Sequence, residues 1–181
     1  MEGKKIKNTI KLYQVSENMF VEIEESVHDR IRYVDMWIYD KFEEKKSFKA
    51  SIPKAEIEKC YPKEKYGDPL VPVIYELVET RTNLDPDEVS VKKVKSKFWT
   101  YQMTDNIWVE IAETEYDFEE VYMVWIFVKD SMFKMRWSDE SKRDIKKADL
   151  ESELLLMAKC AAFEFGNFDE IREAWHGVKE S

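Results

Sequence analysis

The chain has 181 residues, 38 acidic against 29 basic side chains for a formal net charge of −9, and 44% hydrophobic residues, among them six Trp, nine Tyr and ten Phe. That aromatic content excludes a disordered chain, while the negative charge opposes generic binding to nucleic acid or to an anionic membrane and favours a basic partner. Two cysteines with no CxxC neighbour are too few for a disulfide framework, no apolar run approaches the roughly 20 residues that span a bilayer, and MEGKKIKNTIKLY lacks the apolar core of a signal peptide, so a soluble cytoplasmic protein without membrane contact is expected.

The first predicted strand covers 4–15. Ile6, Ile10 and Leu12 fall on one face by period two, and Lys5, Lys7, Thr9, Lys11 and Tyr13 fall on the other. SEN at 16–18 is a turn triplet, because Asn tolerates a left-handed backbone and Ser bonds locally to it. The returning strand, 19–26, alternates Met19, Val21 and Ile23 with Phe20, Glu22 and Glu24. A third strand at 31–40 is apolar on both faces, as a central strand would be. PKAEIEK at 53–59 opens with Pro at a helix-start position, and Leu70, Val73, Ile74 and Leu77 recur at helical spacing across 70–80. TRTNLDPDEVS, 80–90, is a turn-rich connector.

The same order then returns. KKVKSKFWTYQMTDNIWVEIAE at 92–113 repeats KKIKNTIKLYQVSENMFVEIEE at 4–25, with ten of 22 positions identical at an offset of 88. Predicted strands at 92–103, 107–114 and 120–128 follow, with TDN at 104–106 in place of SEN, then a short helix at 141–147 and a helix over 150–165. GNFDEIREAWHG adds a C-terminal helix with Phe168, Ile171 and Trp175 on one stripe. The expected fold class is α+β, an internal duplication of two βββα-type repeats, residues 4–91 and 92–179, each an antiparallel meander sheet covered by helices, the two related by a pseudo-twofold axis, with one fused compact domain as the alternative to two separate ones.

Chemistry-bearing motifs are sparse. His28 and His176 are the only histidines and stand in no HExxH or CxxC context, and four scattered glycines build no phosphate loop. No catalytic residue, metal or cofactor is expected, and Cys160, inside LLLMAKCAAF, is expected to pack as a small core residue. KKIK and KKVK, with Tyr13, Trp99 and Tyr101 nearby, suit either phosphate contact or the protection of edge strands, and the net charge favours the second. From Thr104 to Val128 the chain carries Asp105, Glu110, Glu113, Glu115, Asp117, Glu119 and Glu120 without a single Lys or Arg, and Trp108 shares a strand face with Glu110.

Those eight residues form the candidate partner-binding surface. The reading they suggest is a non-enzymatic protein-binding module that docks on a basic, nucleic-acid-binding protein and inhibits it. Carboxylates repeating every ~7 Å along a strand would imitate phosphates, as in an anti-defence or anti-CRISPR protein of a phage or mobile element. Two alternatives stand beside it: an enzyme or small-ligand protein with a site between the repeats lined by Trp37, Trp125, Tyr13 and Tyr101, and direct nucleic-acid binding through the lysine-rich strands.

Overall fold

The computed structural model of the protein describes residues 2–7 and 9–167. In chain order its strands are β1 (Lys4–Ile6), β2 (Ile10–Gln14), β3 (Met19–His28), β4 (Ile31–Asp40), β5 (Lys45–Pro53), β6 (Lys92–Val94), β7 (Phe98–Gln102), β8 (Ile107–Tyr116), β9 (Glu119–Val128) and β10 (Phe133–Ser141). The helices are α1 (Lys54–Cys60), α2 (Lys63–Tyr66), α3 (Leu70–Arg81) and α4 (Leu150–Asn167). The strand pairings are antiparallel, so the chain is α+β and sheet-rich. The predicted C-terminal helix with Phe168, Ile171 and Trp175 lies outside the described residues.

The chain divides into two compact units. Asn8–Lys95 form the N-terminal unit, and Met1–Lys7 group with the residues from Ser96 onward as the C-terminal unit. The N-terminal unit runs β5-β4-β3-β2-β6 and the C-terminal unit β1-β7-β8-β9-β10. Each therefore has four long strands and a three-residue edge strand, where the sequence pattern predicted three.

The predicted strand over 4–15 is two strands. β1 pairs with β7, Lys4 opposite Gln102 and Ile6 opposite Thr100, whereas β2 pairs with β3 and with β6, Leu12 opposite Val94. The predicted strand over 92–103 breaks in the same way between β6 and β7. Alternation persists across each break, which is why a period-two pattern reads through a change of pairing partner.

β5 and β10 escaped prediction for a different reason. Their innermost residues include Lys46 and Lys134, both at 0% exposure. Irregular registers opposite Met36/Trp37 and between Arg136 and Ser138 further break the apolar alternation.

The hairpin turns form where predicted. Ser16 Oγ accepts from Met19 N at 3.2 Å, and Thr104 Oγ1 accepts from Ile107 N at 3.0 Å. The β3–β4 and β8–β9 turns each put two non-glycine residues at positive φ, Asp29 (50°) with Arg30 (67°) and Asp117 (52°) with Phe118 (63°). Two consecutive positive φ values are the signature of a type I′ turn, whose twist matches that of the flanking strands.

One helix face closes the core of each unit. In the N-terminal unit Val73, Ile74, Leu77 and Val78 of α3 pack on Val21, Ile23, Val34 and Met36. In the C-terminal unit Leu154, Ala158, Ala161, Ala162 and Phe165 of α4 pack on Val109, Ile111, Val124 and Ile126. The three alanines let α4 approach the sheet closely, and Leu154 and Phe165, at 0% and 1% exposure, supply roughly 1.5–3 kcal/mol each by burial. The helix predicted over 141–147 is instead a pair of 3-10 turns, 142–144 and 147–149, with Ser141 Oγ accepting from Arg143 N at 3.4 Å. Cys160 is exposed rather than in the core. It lies on the α4 face opposite Ala158 and Ala162, a distinction that an apolar run alone does not make.

Candidate docking surface

The acidic window of the sequence maps onto the β8–β9 hairpin, whose period-two geometry sorts its residues onto two faces. Trp108 and Glu110 fall in one phase of β8, Glu113 and Glu115 in the other. The eight candidate residues therefore do not share a surface, and strand phase is the signal that separates them.

Glu110 is fully buried and leaves the candidate surface. Its Oε1 accepts from Lys134 Nζ at 2.8 Å. The Lys134 ammonium sits 4.8 Å from the centre of the Phe127 ring, and that ring stacks on Trp108 at 6.3 Å and 22°. Trp108 is accordingly half-buried, and its indole Nε1 has no hydrogen-bond partner among the described residues. The N-terminal unit holds the same set: Lys46 Nζ donates to Glu22 at 2.7 Å, lies 4.9 Å from the Tyr39 ring, and Tyr39 stacks on Phe20 at 5.5 Å. A charge taken fully out of water is tolerated only with such a partner.

Two further acids are neutralised from outside the acidic window. Glu113 is half-buried and bonded by the Lys142 ammonium, which raises the pKa of Lys142. Glu119 accepts from the Ser141 hydroxyl and stands 3.3 Å from Arg143 Nη2. Asp105 is exposed, but it sits in the β7–β8 turn, and the length of β8 separates it from the other hairpin end by about 30 Å.

What remains is compact. Glu115, Asp117 and Glu120 are exposed around the type I′ turn, with Phe118 between them at 96% exposure. Glu115 and Glu120 are direct cross-strand partners, a like-charge arrangement that disfavours the free hairpin. Lys142, 3.9 Å from Glu120, offsets part of that repulsion. Arg136 is engaged with the Tyr116 ring at 5.0 Å.

The aromatic residues proposed to line a ligand site are interior. Tyr13, Tyr101, Trp125 and Trp37 are 0%, 2%, 5% and 7% exposed. The Tyr13 hydroxyl donates to Asp68 Oδ2 at 2.6 Å, and burial first, then that carboxylate, raises its pKa. The Tyr101 hydroxyl is buried without a partner, and burial followed by the Glu151 charge pushes its pKa up to about 12. The lysine-rich segments form β1 and β6, edge strands paired on one side only, and Lys5 is taken up by Glu151 at 3.0 Å.

The N-terminal unit holds a groove of about 570 Å³ lined by Lys11, Lys63, Lys93, Glu58, Glu64 and Asp68 among others. Both signs of charge face it, and its apolar floor includes Ile57 and Leu70. Among the described residues no cluster of His, Cys, Asp and Glu is placed to hold a metal, and no helix is long and apolar enough to cross a membrane. Comparison with known proteins finds no protein family, no curated protein and no solved structure that matches this chain.

Proposed function

We propose that the chain is a non-enzymatic protein-binding module whose β8–β9 hairpin tip docks on a basic site of a partner protein, in its most specific form the nucleic-acid-binding surface of an enzyme that it inhibits. One observation carries the reading: a fully exposed Phe118, held at φ 63° on a tight turn, stands among three exposed carboxylates, two of them in cross-strand opposition. The hairpin turn sets that φ, as it does for Arg30 in the other unit, but an exposed Phe returns nothing to the free fold, so a bound partner is where its exposure is offset. Aromatic anchors ringed by charge are what a specific interface presents. The surface offered to the partner is Glu115, Asp117, Phe118 and Glu120, with Glu113 and Glu119 behind them.

The same reading treats the chain as an internal duplication. Strands of five, ten, ten and nine residues recur at an offset of 88, and the Glu22–Lys46 pair recurs as Glu110–Lys134.

The test is affinity capture from the native host's lysate with wild type and with Glu115→Lys/Asp117→Lys/Glu120→Lys as baits, followed by elution with duplex DNA. A basic, nucleic-acid-handling protein held by wild type alone and released by the duplex supports the reading. The same protein held equally by both baits refutes it.

A second reading rests on the groove of the N-terminal unit. Lys11, Lys63 and Lys93 line it and form no ion pair among the described residues, which suits an anionic small molecule. Thermal-shift screening of phosphorylated and carboxylated metabolites, with Lys11→Met as control, tests it.

A further inference from the structure

We infer that the C-terminal unit carries a second docking surface, a groove between β10 and α4 that takes a lysine- or arginine-bearing amphipathic helix of a partner protein. The groove encloses about 350 Å³, and Trp137, Leu156 and Met157 supply its apolar lining. Its charged lining among the described residues is entirely negative: Asp139 and Glu140 from β10, Glu153 and Glu164 from α4. The acidic sign is not cancelled nearby among the described residues. Among the described residues Asp139, Glu140 and Glu153 form no ion pair and Glu164 accepts only from the Trp137 indole at 2.7 Å, while Lys142 and Arg143 are committed to Glu113 and Glu119. Lys159, the one basic residue of α4, does not line the groove.

The α4 face extends the groove. Leu156, Cys160 and Phe163 follow one another at spacings of four and three, hence on one side of the helix, and Leu156 and Phe163 are 54% and 67% exposed. From Leu156 to Phe163 the stripe is about 10 Å long, the length of two turns of a docked helix, whose apolar residues would lie on it while its cations reach the carboxylates.

Charge decides the occupant. Four carboxylates over an apolar floor repel one another, and a cationic helix removes that repulsion as it buries the stripe. Nucleic acid and anionic membrane carry the wrong sign. So does a second copy of the chain, at −9. The chain's own residues 168–181 bring Asp169, Glu170, Glu173 and Glu180 against Arg172 and Lys179, again the wrong balance.

The experiment is calorimetric titration of the full chain with a synthetic amphipathic Leu/Lys helix of about 14 residues, and with a Leu/Glu helix of the same pattern. The Leu/Lys peptide should bind saturably and the Leu/Glu peptide should not. Asp139→Lys/Glu153→Lys should weaken binding at least tenfold, whereas the charge-matched pair Glu56→Lys/Glu79→Lys, on exposed helix positions of the other unit, should change it less than threefold. Leu156→Ser/Phe163→Ser, at exposed positions that leave the core untouched, should weaken it as well. Equal losses in the two lysine pairs, no effect of the serine pair, or equal binding of both peptides would overturn the inference. Tighter binding in Ile171→Ala/Trp175→Ala would reassign the groove to the chain's own C-terminal residues, and concentration-dependent dimerisation abolished by Glu153→Lys would reassign it to a second copy. The hairpin variant Glu115→Lys/Asp117→Lys/Glu120→Lys should retain peptide binding, so the groove and the hairpin reading fail independently.

Discussion

Replacing Glu110 by Gln removes one member of an ion pair in which both side chains are essentially inaccessible, with Nζ and Oε1 at 2.8 Å. The Lys134 ammonium then stays buried beside Phe127 without its carboxylate, and the loss expected for breaking a buried pair is about 3–5 kcal/mol. For a domain whose whole stability is about 5–15 kcal/mol, that is a large fraction, and at about 2–4 °C per kcal/mol the midpoint should fall by roughly 6–20 °C. Lys134→Met should cost a similar amount. The double variant Glu110→Gln/Lys134→Met should recover much of it, because neither charge is then stranded. Urea unfolding followed by far-UV circular dichroism gives the three free energies, and the coupling between the sites should be at least about 2 kcal/mol. Glu115→Gln, exposed on the same strand, should stay within about 0.5 kcal/mol of wild type. If Glu110→Gln proves as mild as Glu115→Gln, or if the two single losses simply add, the assignment of Glu110 to the interior rather than to the docking surface is wrong.

Further outcomes follow from the same structure. Tyr13→Phe should destabilise by about 1.5–3 kcal/mol, since it deletes a hydrogen bond to a carboxylate, whereas Tyr101→Phe, which removes a hydroxyl buried without a partner, should be neutral or stabilising; paired denaturation curves compare them. Tyr101 titrates at about 12 in the fold against about 10 when unfolded. The unfolded chain thus loses that proton first, so stability should fall as pH rises from about 10 to 12, and less steeply in Tyr101→Phe. Phe118→Gly should stabilise the free protein by up to about 1 kcal/mol by relieving the left-handed backbone and yet weaken partner capture, a trade visible in parallel melting and pull-down. Cys60 and Cys160 are both exposed, so Ellman's reagent should titrate two thiols in the native protein; a thiol that reacts only after denaturation would place Cys160 in the core.

Local pattern carried much of the architecture. β4 begins and ends where alternation put it, α3 and α4 start at the predicted residues, and SEN and TDN make their turns, because strand phase, helix spacing and Asn or Ser turn chemistry are written within a few neighbouring residues. Pattern failed where a lysine occupied an inward strand position. Lys46 and Lys134 made β5 and β10 look like polar loops, and only a carboxylate 24 positions earlier in each case makes such a burial tolerable.

The candidate site divides along the same line. Its acidic sign and the hairpin that bears it are legible in composition and alternation, and strand phase already parts Glu110 from Glu115. The sequence by itself determined β3, β4, β8, β9, α3, α4 and the turns between the paired strands, and an excess of negative charge, since these depend on residues close along the chain. Tertiary structure alone decided which carboxylates face water. Lys142 reaches Glu113 across 29 positions, Lys134 draws Glu110 inside, β1 pairs with β7, and β6 pairs with β2. Burial and charge pairing are settled by contacts between distant parts of the chain, and no local pattern contains them.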